Sequence, residues 1–390
     1  MRRSLIIVGA SARAAAFSAA RAGFAPYAID LFADRDLAEL CPAVRIERYP
    51  RGFLRALADA PDAPWIYTGG LENYPRLVAR MAEVRPLWGN SGAVLRGVRD
   101  PRRLAQVLHE EGLPYPDQRS GRSDAGRQWL VKPLRGSAGL GVRFATASDL
   151  ARERTDMFLQ EYIAGESCSA AFVGTGGQAM LLGATRQIIG RDWGLAAEFL
   201  YIGSIGPLDL TAVEQTELSR LGKALARRFD LVGLFGVDFI RTAEELLPVE
   251  VNPRYTASIE VLERVTGEHF LAHHAAACET GLRPESPLQA CGVFAGKAVV
   301  YARCDCTWGR ESLVATNMAI ANDLGPPKTS DPLSVAWSSI AADLPQVGHR
   351  FQAGQPVATV FAAGATVCDV EQQLRMSEAA LLDSLRNRTP

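Results

Sequence analysis

The feature that most constrains this chain is a pair of apolar segments that each carry oxygen ligands in their interior. Phe235-Gly236-Val237-Asp238-Phe239 places one carboxylate in a run of strand-forming residues, and Pro248-Val249-Glu250-Val251-Asn252-Pro253-Arg254 places two more oxygen groups two positions apart. Residues i and i+2 of a strand point to the same face. The connection through Thr242-Ala243-Glu244-Glu245 is of hairpin length, so Asp238, Glu250 and Asn252 can converge on one face of a strand pair. Two carboxylates held close together in apolar surroundings repel each other and lose hydration. A hard divalent cation removes that conflict. Mg²⁺ or Mn²⁺ suits such an oxygen set, with phosphates and waters completing the octahedron.

Upstream, Trp129-Leu130-Val131 reads as a short strand leading into Lys132, and Gly136-Ser137-Ala138-Gly139-Leu140-Gly141 follows within a few residues. Backbone N–H groups of a glycine-rich loop approach phosphate oxygens closely, and a neighbouring lysine supplies a point charge. No Lys-Ser/Thr closes the loop, so it is not a P-loop. Gln160-Glu161-Tyr162-Ile163 reads as an extended hinge whose backbone and Glu161 carboxylate suit an adenine edge, with Glu166 placed for a ribose hydroxyl. Arg254 carries a forked cation suited to phosphate or carboxylate, and Arg186 is a second candidate for that role. Taken singly, each piece has an ordinary reading as a solvated lysine, a strand-end acid or a surface arginine. In this order they describe one nucleotide–metal site, using ATP and Mg²⁺.

Leu5-Ile6-Ile7-Val8-Gly9 reads as a buried parallel strand followed by an alanine-rich helix to about Ala22. It does not read as a signal peptide, because its apolar run is short and Arg13 and Arg21 follow soon after. Strands are expected over 27–32 and 65–68. Strands alternating with helices indicate an open parallel sheet, with ligands at the carboxyl ends of the strands. Ser11, Arg13, Asp30, Glu72 and Asn73 are therefore candidates to grip substrates, with turn or capping roles as the ordinary alternative. Residues 119–127 read as a loop, 158–163, 169–173, 179–182, 234–240 and 247–251 as strands, and 214–229 as a helix with Leu218, Leu221, Leu225 and Phe229 on one face. After about 287 the chain turns β-rich at 293–301 and 355–362, with Pro/Ser/Asp-rich connections near 324–333.

Composition narrows the class further. A net charge of −1 gives no footprint for nucleic acid or an anionic membrane. No run reaches the ~18 apolar residues of a membrane span. Seven scattered cysteines fit a reduced, cytoplasmic setting. Cys304-x-Cys306 lacks the two further ligands a zinc site needs.

As an ordered set, Trp129–Pro133, Arg135–Val142, Gln160–Gly165, Gly236–Phe239 and Glu250–Arg254 resemble the ATP-grasp superfamily of carboxylate–amine ligases, over roughly residues 4–256. The resemblance implies α/β and α+β architecture: an ATP-grasp fold with an N-terminal Rossmann-like pre-grasp domain and a small β-rich C-terminal extension. The implied divisions are 1–95, 96–285 (two lobes clamping ATP) and 286–390. It also implies roles for single residues. Lys132 would contact phosphates, and Gly136, Ser137, Ala138, Gly139 and Gly141 would cover them. Glu161, Tyr162 and Ile163 would read adenine, and Asp238, Glu250 and Asn252 would hold the metal. Arg254 would steady the transferred phosphate. Many members carry an Asp-Lys near the helix after the pre-grasp domain; here the stretch is Arg99-Asp100-Pro101-Arg102-Arg103, with Arg102 or Arg103 as the candidate replacement. A looser likeness of Arg186–Ile189 and Tyr201–Pro207 to the branch containing tyramine–glutamate ligase of methanofuran biosynthesis suggests a one-carbon cofactor pathway, such as that of methanofuran or methylofuran.

The function this implies is ADP-forming carbon–nitrogen ligation through an acyl phosphate. The partners would be a small carboxylate and a small amine, with no nucleic acid and no membrane; a homodimer stays open. No Ser-His-Asp or Cys-His arrangement is evident or needed, and histidines 109, 269, 273, 274 and 349 read as structural. Three alternatives remain. A carboxylase of the aminoimidazole ribonucleotide type would release ADP in response to bicarbonate. A non-catalytic ATP-binding regulator would not need the full Asp238, Glu250 and Asn252 set. An NAD-dependent dehydrogenase is suggested by Gly9-Ala10-Ser11, but the first turn lacks GxGxxG.

Overall fold

A computed structural model describes residues 2–118, 126–151, 154–282, 292–309 and 341–386. Most of the expected loop at 119–127, and the connections near 324–333, lie outside the described residues.

The chain opens with four parallel strands, β1 (Ser4–Gly9), β2 (Ala25–Asp30), β3 (Ala43–Arg45) and β4 (Trp65–Tyr67), in the order β3-β2-β1-β4. Both faces are covered. Leu5 and Ile7 pack with Ala12, Ala15, Ala16 and Ala19 of the first helix and its approach. Ile6, Val8, Ile29 and Trp65 meet Phe53, Leu57, Val78 and Met81 on the other side. Burial on both faces is why these strands read as unbroken apolar runs. Strand β2 stops two residues before the expected Phe32. There the Asp30 carboxylate accepts the N–H groups of Phe32 (2.6 Å) and Ala33 (2.7 Å), turning the chain out of the ladder. Because β2 and β4 flank β1 on opposite sides, the carboxyl ends of β1 and β4 border a topological switch point.

A small antiparallel sheet follows, β5 (Trp129–Pro133), β6 (Arg143–Phe144) and β7 (Met157–Glu161), in the order β6-β5-β7. The main sheet is built from β8 (Glu166–Thr175), β9 (Gln178–Ile189), β10 (Tyr201–Gly206), β11 (Gly233–Arg241), β12 (Leu246–Asn252) and β13 (Phe294–Tyr301). The short strands β14 (Cys306–Thr307) and β16 (Arg350–Phe351) pair with each other, while β15 (Ala341–Ala342) and β17 (Pro356–Gly364) join the main sheet. Among the described residues that sheet has eight strands in the antiparallel order β12-β11-β8-β9-β10-β13-β17-β15. Strands β8 and β9 are longer than expected. They form a hairpin closed by Gly176-Gly177, both at positive φ (54° and 72°), the backbone that a two-residue turn between right-twisted strands demands.

The helix Ala212–Phe229 begins with a Thr211/Glu214 capping box and buries Leu218, Leu221, Leu225 and Phe229, the face its spacing predicts. The stretch after residue 292 does not stand apart from the sheet, because β13 pairs directly with β10. A 20-residue helix, Val367–Arg386, covers β13 and β17 and buries Val370, Leu374, Leu381 and Leu385. A β-rich description of the C-terminal region misses this helix. No helix among the described residues is long and apolar enough to cross a membrane, and the six described cysteines are unpaired.

Candidate active site

Strands β11 and β12 set Asp238 opposite Glu250 and Gly236 opposite Asn252. The register slips after Asp238, where Phe239 faces Pro248 and Val249 is left as the extra residue of a bulge. A bulge accommodates Pro248, which cannot donate to a regular ladder. Asp238 accepts the side-chain amides of Asn252 and Gln187, each at 3.0 Å. Neither donor carries a charge. Burial, and then the facing Glu250, push the Asp238 carboxyl up to about 6.

Glu250 has a full counter-charge. Burial opposes its ionisation, but the charges of Arg99 and Lys132 and a short hydrogen bond from Arg99 outweigh that, holding its carboxyl below the usual range. Arg99 also reaches Asn73 Oδ1 (3.3 Å) and the Gly136 carbonyl (3.2 Å). This arginine is the cation that the site takes from the Arg99-Asp100-Pro101-Arg102-Arg103 stretch. Arg102 and Arg103 are solvent-exposed on the helix Pro101–Glu110, Arg103 stacks on Phe229, and Asp100 caps the helix. Sequence reasoning sought the replacement inside the helix, whereas the residue just before the cap points inward. Lys132 donates to Gln160 Oε1 (2.9 Å) and approaches the Val249 carbonyl (3.5 Å) on the bulge. Burial lowers its pKa, while Glu250 and Asp238 work the other way.

The glycine loop crosses from β5 to β6. Its Ala138 carbonyl accepts the Tyr201 N–H (2.9 Å). Gly139 has φ +71°, and a Cβ there would lie 1.9 Å from the Phe199 carbonyl oxygen, so only glycine fits. Ser137, Ala138 and Gly139 line the cavity described below, whereas Gly136 and Gly141 are not on that wall.

Beyond β7 the chain leaves the small sheet at Tyr162. The Glu161 carboxylate lies 3.3 Å from Arg127, so an ion pair holds the group expected to meet adenine. The Tyr162 ring belongs to a cluster with Phe144 (5.0 Å) and Phe199 (6.3 Å), and the Arg191 guanidinium lies 5.3–5.9 Å from all three ring centres. Of this cluster only Tyr162 was singled out from sequence; Arg191, Phe144 and Phe199 were not. They are dispersed along the chain, and no motif links them.

Arg254 is braced by Glu72 (2.7 Å) and donates to Asn252 Oδ1 (3.3 Å), which fixes it beside the Asp238–Glu250 pair. Arg186 lines the cavity but forms a short ion pair with Glu371 of the C-terminal helix. The proposed substrate-gripping residues divide. Ser11 and Arg13 reach the cavity wall. Asp30, Glu72 and Asn73 do not. Asp30 is a fully buried turn cap, Glu72 is the counter-ion of Arg254, and Asn73 donates to the Gly136 carbonyl at 3.0 Å. His274 is structural, as expected: its Nδ1 accepts the Leu234 N–H (2.8 Å), and its Nε2 faces the Trp88 carbonyl (3.1 Å).

A cavity of about 920 Å³ opens where the ends of β1 and β4, the small sheet and the face of β8–β12 meet. Lys132, Glu161, Tyr162, Ile163, Glu166, Asp238, Glu250, Asn252 and Arg254 all line it. The donor set suits a hard divalent cation in one specific way. Two facing carboxylates and an amide oxygen are too few to cage a metal alone, and no group of three His, Cys, Asp or Glu among the described residues forms a complete cage. Mg²⁺ is commonly held by one or two carboxylates while substrate phosphates and water supply the rest. The Asp238 charge, which lacks a cationic hydrogen-bond partner, fits such an ion.

Residues 98–258 match the ATP-grasp domain family. Among curated proteins, the carbamoyl phosphate synthase large chain of Neisseria gonorrhoeae is 35% identical over 79 residues, which is 20% of this chain and only 7% of that protein. Solved structures match over nearly the whole chain. The biotin carboxylase domain of Hydrogenobacter thermophilus 2-oxoglutarate carboxylase, in complex with MgADP and bicarbonate, has a TM-score of 0.71 at 16% identity and covers 97% of this chain and 89% of that one. An N5-carboxyaminoimidazole ribonucleotide synthetase in its ADP complex gives 0.69 at 14%, covering 99% and 98%. The L-amino acid ligase of Bacillus licheniformis gives 0.68 at 12%, covering 97% and 98%. At these identities the likeness is one of fold. The fold is ATP-grasp, and residues 98–258 match that family's domain.

Proposed function

We propose that this protein is an ADP-forming carboxylate–amine ligase that uses ATP and Mg²⁺ to make an amide or peptide bond. The observation that carries the reading is the convergence of Lys132, Asp238, Glu250, Asn252 and Arg254 at one cavity wall, with Arg99 bonded to Glu250 and the glycine loop beside it.

In this reading a substrate carboxylate oxygen attacks the γ-phosphorus of ATP, and the bond to the β–γ bridging oxygen breaks. The products are an acyl phosphate and ADP. An amine then attacks the acyl carbon, phosphate leaves and the nitrogen loses a proton. Asp238, Glu250 and Asn252 would hold Mg²⁺, which supplies charge neutralisation at the phosphates. Lys132 and Arg99 bring fixed positive charge to the same place, and Ser137, Ala138 and Gly139 line the path of the phosphates. Arg254, clamped by Glu72, would orient the transferred group. Tyr162 and Ile163 would border the base, and Glu166 would reach the ribose. The Glu161 side chain would keep Arg127 as its partner and act at the base through its main chain. Contact between the loop and the Phe199–Tyr201 segment would keep water from the acyl phosphate.

ADP release is the decisive measurement, with product mass identified from a panel of acids paired with amines. Release that requires both partners and yields an amide supports the reading. Bicarbonate-driven release would replace it with the carboxylase alternative, and nucleotide binding without turnover would replace it with a regulator. Including glutamate with tyramine in the panel tests the finer placement in a one-carbon cofactor pathway. A cytoplasmic, homodimeric protein is the matching expectation, checked by fractionation and light scattering.

A further inference from the structure

The cavity continues past the cluster of Lys132, Asp238, Glu250 and Arg254 to a second end, formed by the strand ends of β2 and β3 and by residues 343–359. The acids around that end are nearly all matched. Asp30 takes backbone N–H groups of its own turn. Asp36 takes those of Asp343 (2.9 Å) and Leu344 (3.0 Å). Asp343 is held by Arg13, Ser11 and Thr359, and Glu260 by Arg13 and Lys297. Asp34 is the exception. It lines the cavity and precedes the helix Arg35–Leu40, yet its side chain caps nothing and makes no hydrogen bond or ion pair among the described residues. The charges that act on it most are Asp343, Asp36 and Asp30, which repel, and Arg13, which attracts but is already committed. Arg45 and His349 border the same end, and neither reaches ion-pair distance of Asp34. Apolar surface stands alongside in Phe32, Phe351 and Val357, with Phe32 41% exposed.

We propose that this second end is the subsite for the amine-bearing substrate, and that Asp34 is its specificity-determining residue, receiving a cationic ammonium group whose apolar body lies against Phe32, Phe351 and Val357. The proposal rests on the ligase reading for the word substrate, but the binding it describes stands apart from turnover. Burial, followed by repulsion from Asp343, Asp36 and Asp30, pushes the Asp34 carboxyl up to about 8, so the empty site holds a proton at neutral pH. An arriving ammonium ion forms an ion pair with the carboxylate and releases that proton to solvent.

Calorimetry on the full chain with benzylamine and benzyl alcohol, in two buffers of different ionisation enthalpy at pH 7, tests this. The expected result is at least a tenfold preference for benzylamine, with proton release, and loss of both in Asp34→Asn. That variant should melt no lower than wild type, because the carboxyl it replaces has no hydrogen-bond or ion-pair partner to lose among the described residues. Phe32→Ala, a second variant, should weaken both probes alike. A wild type that does not prefer the amine, or an Asp34→Asn variant that keeps the preference, overturns the proposal. Amine preference without ADP release from any acid–amine pair would overturn the ligase reading and leave the subsite in place.

Discussion

Asp238 and Glu250 face each other across two strands, yet only Glu250 has a cation on it. That asymmetry separates their roles in stability and in chemistry. Asp238→Asn should lower kcat by ~10²–10³-fold, the range seen when one electrostatic contact to developing charge is lost. The same change should leave the melting temperature level or raise it, since it removes a like-charge repulsion. A variant with unchanged ADP release would overturn the metal assignment. Gly139 makes a different kind of demand. Gly139→Ala adds a Cβ at φ +71°, 1.9 Å from the Phe199 carbonyl, so the loop must move. The left-handed backbone alone costs about 1–2 kcal/mol. Thermal melts and the KM for ATP should both show the effect, and a variant unchanged in both would mean the loop does not sit as described.

The hairpin that carries the acids is held from behind by the helix Phe270–Thr280. His274 on that helix accepts the Leu234 N–H of β11 and faces the Trp88 carbonyl after β4, so one neutral ring ties two sheets together. Burial pushes its pKa down to about 4. The unfolded value is near 6.5, so the unfolded chain takes up the proton first. The contribution of His274 to stability is therefore complete above about pH 6.5 and is lost as pH falls toward 4, by at most about 3 kcal/mol. Urea unfolding of wild type and His274→Gln between pH 7.5 and 4.5 isolates it. The variant should be less stable at pH 7.5, and the gap should narrow on acidification; a constant gap would show that His274 protonates freely in the folded protein.

Arg13 is the whole-molecule counterpart. It lies on the first helix, is 4% exposed, and holds Glu260 from the helix Ala257–Thr266 and Asp343 from the C-terminal region together. Burial works against both charges, but Arg13 outweighs it and holds both carboxyls below their usual range; Lys297 adds to this at Glu260. Arg13→Met would leave two buried carboxylates short of a partner. Breaking a buried pair on one side costs about 3–5 kcal/mol, which chemical denaturation should show as a matching drop in unfolding free energy. A loss below about 1 kcal/mol, the scale of a surface pair, would mean the three segments are not coupled through this side chain.

The periodic and local parts of this protein were legible in its residue order. The apolar runs of β1 and β11, the i and i+2 placement of Glu250 and Asn252, the capping box at Thr211 and the glycines of the 136–141 loop all follow from neighbours a few residues apart. Strand alternation indicated an open parallel sheet, and the order of the motifs carried the resemblance that implied the ATP-grasp fold. Which charges meet was settled by the folding of distant segments onto one another. Arg99 rather than Arg102 or Arg103 enters the site because the Asp100 cap fixes where the helix begins. Glu72 and Asn73 are used up on Arg254 and Gly136, and Glu161 is turned to Arg127. Asp34 stands unpaired among the described residues, because Arg13, the cation that acts on it, is committed to Glu260 and Asp343. The pairings of Arg99 with Glu250, Glu72 with Arg254, Asn73 with Gly136 and Glu161 with Arg127 join residues from 34 to 182 positions apart. Periodicity carries no record of them, and residue type fixes only what a side chain can do, not which partner it finds.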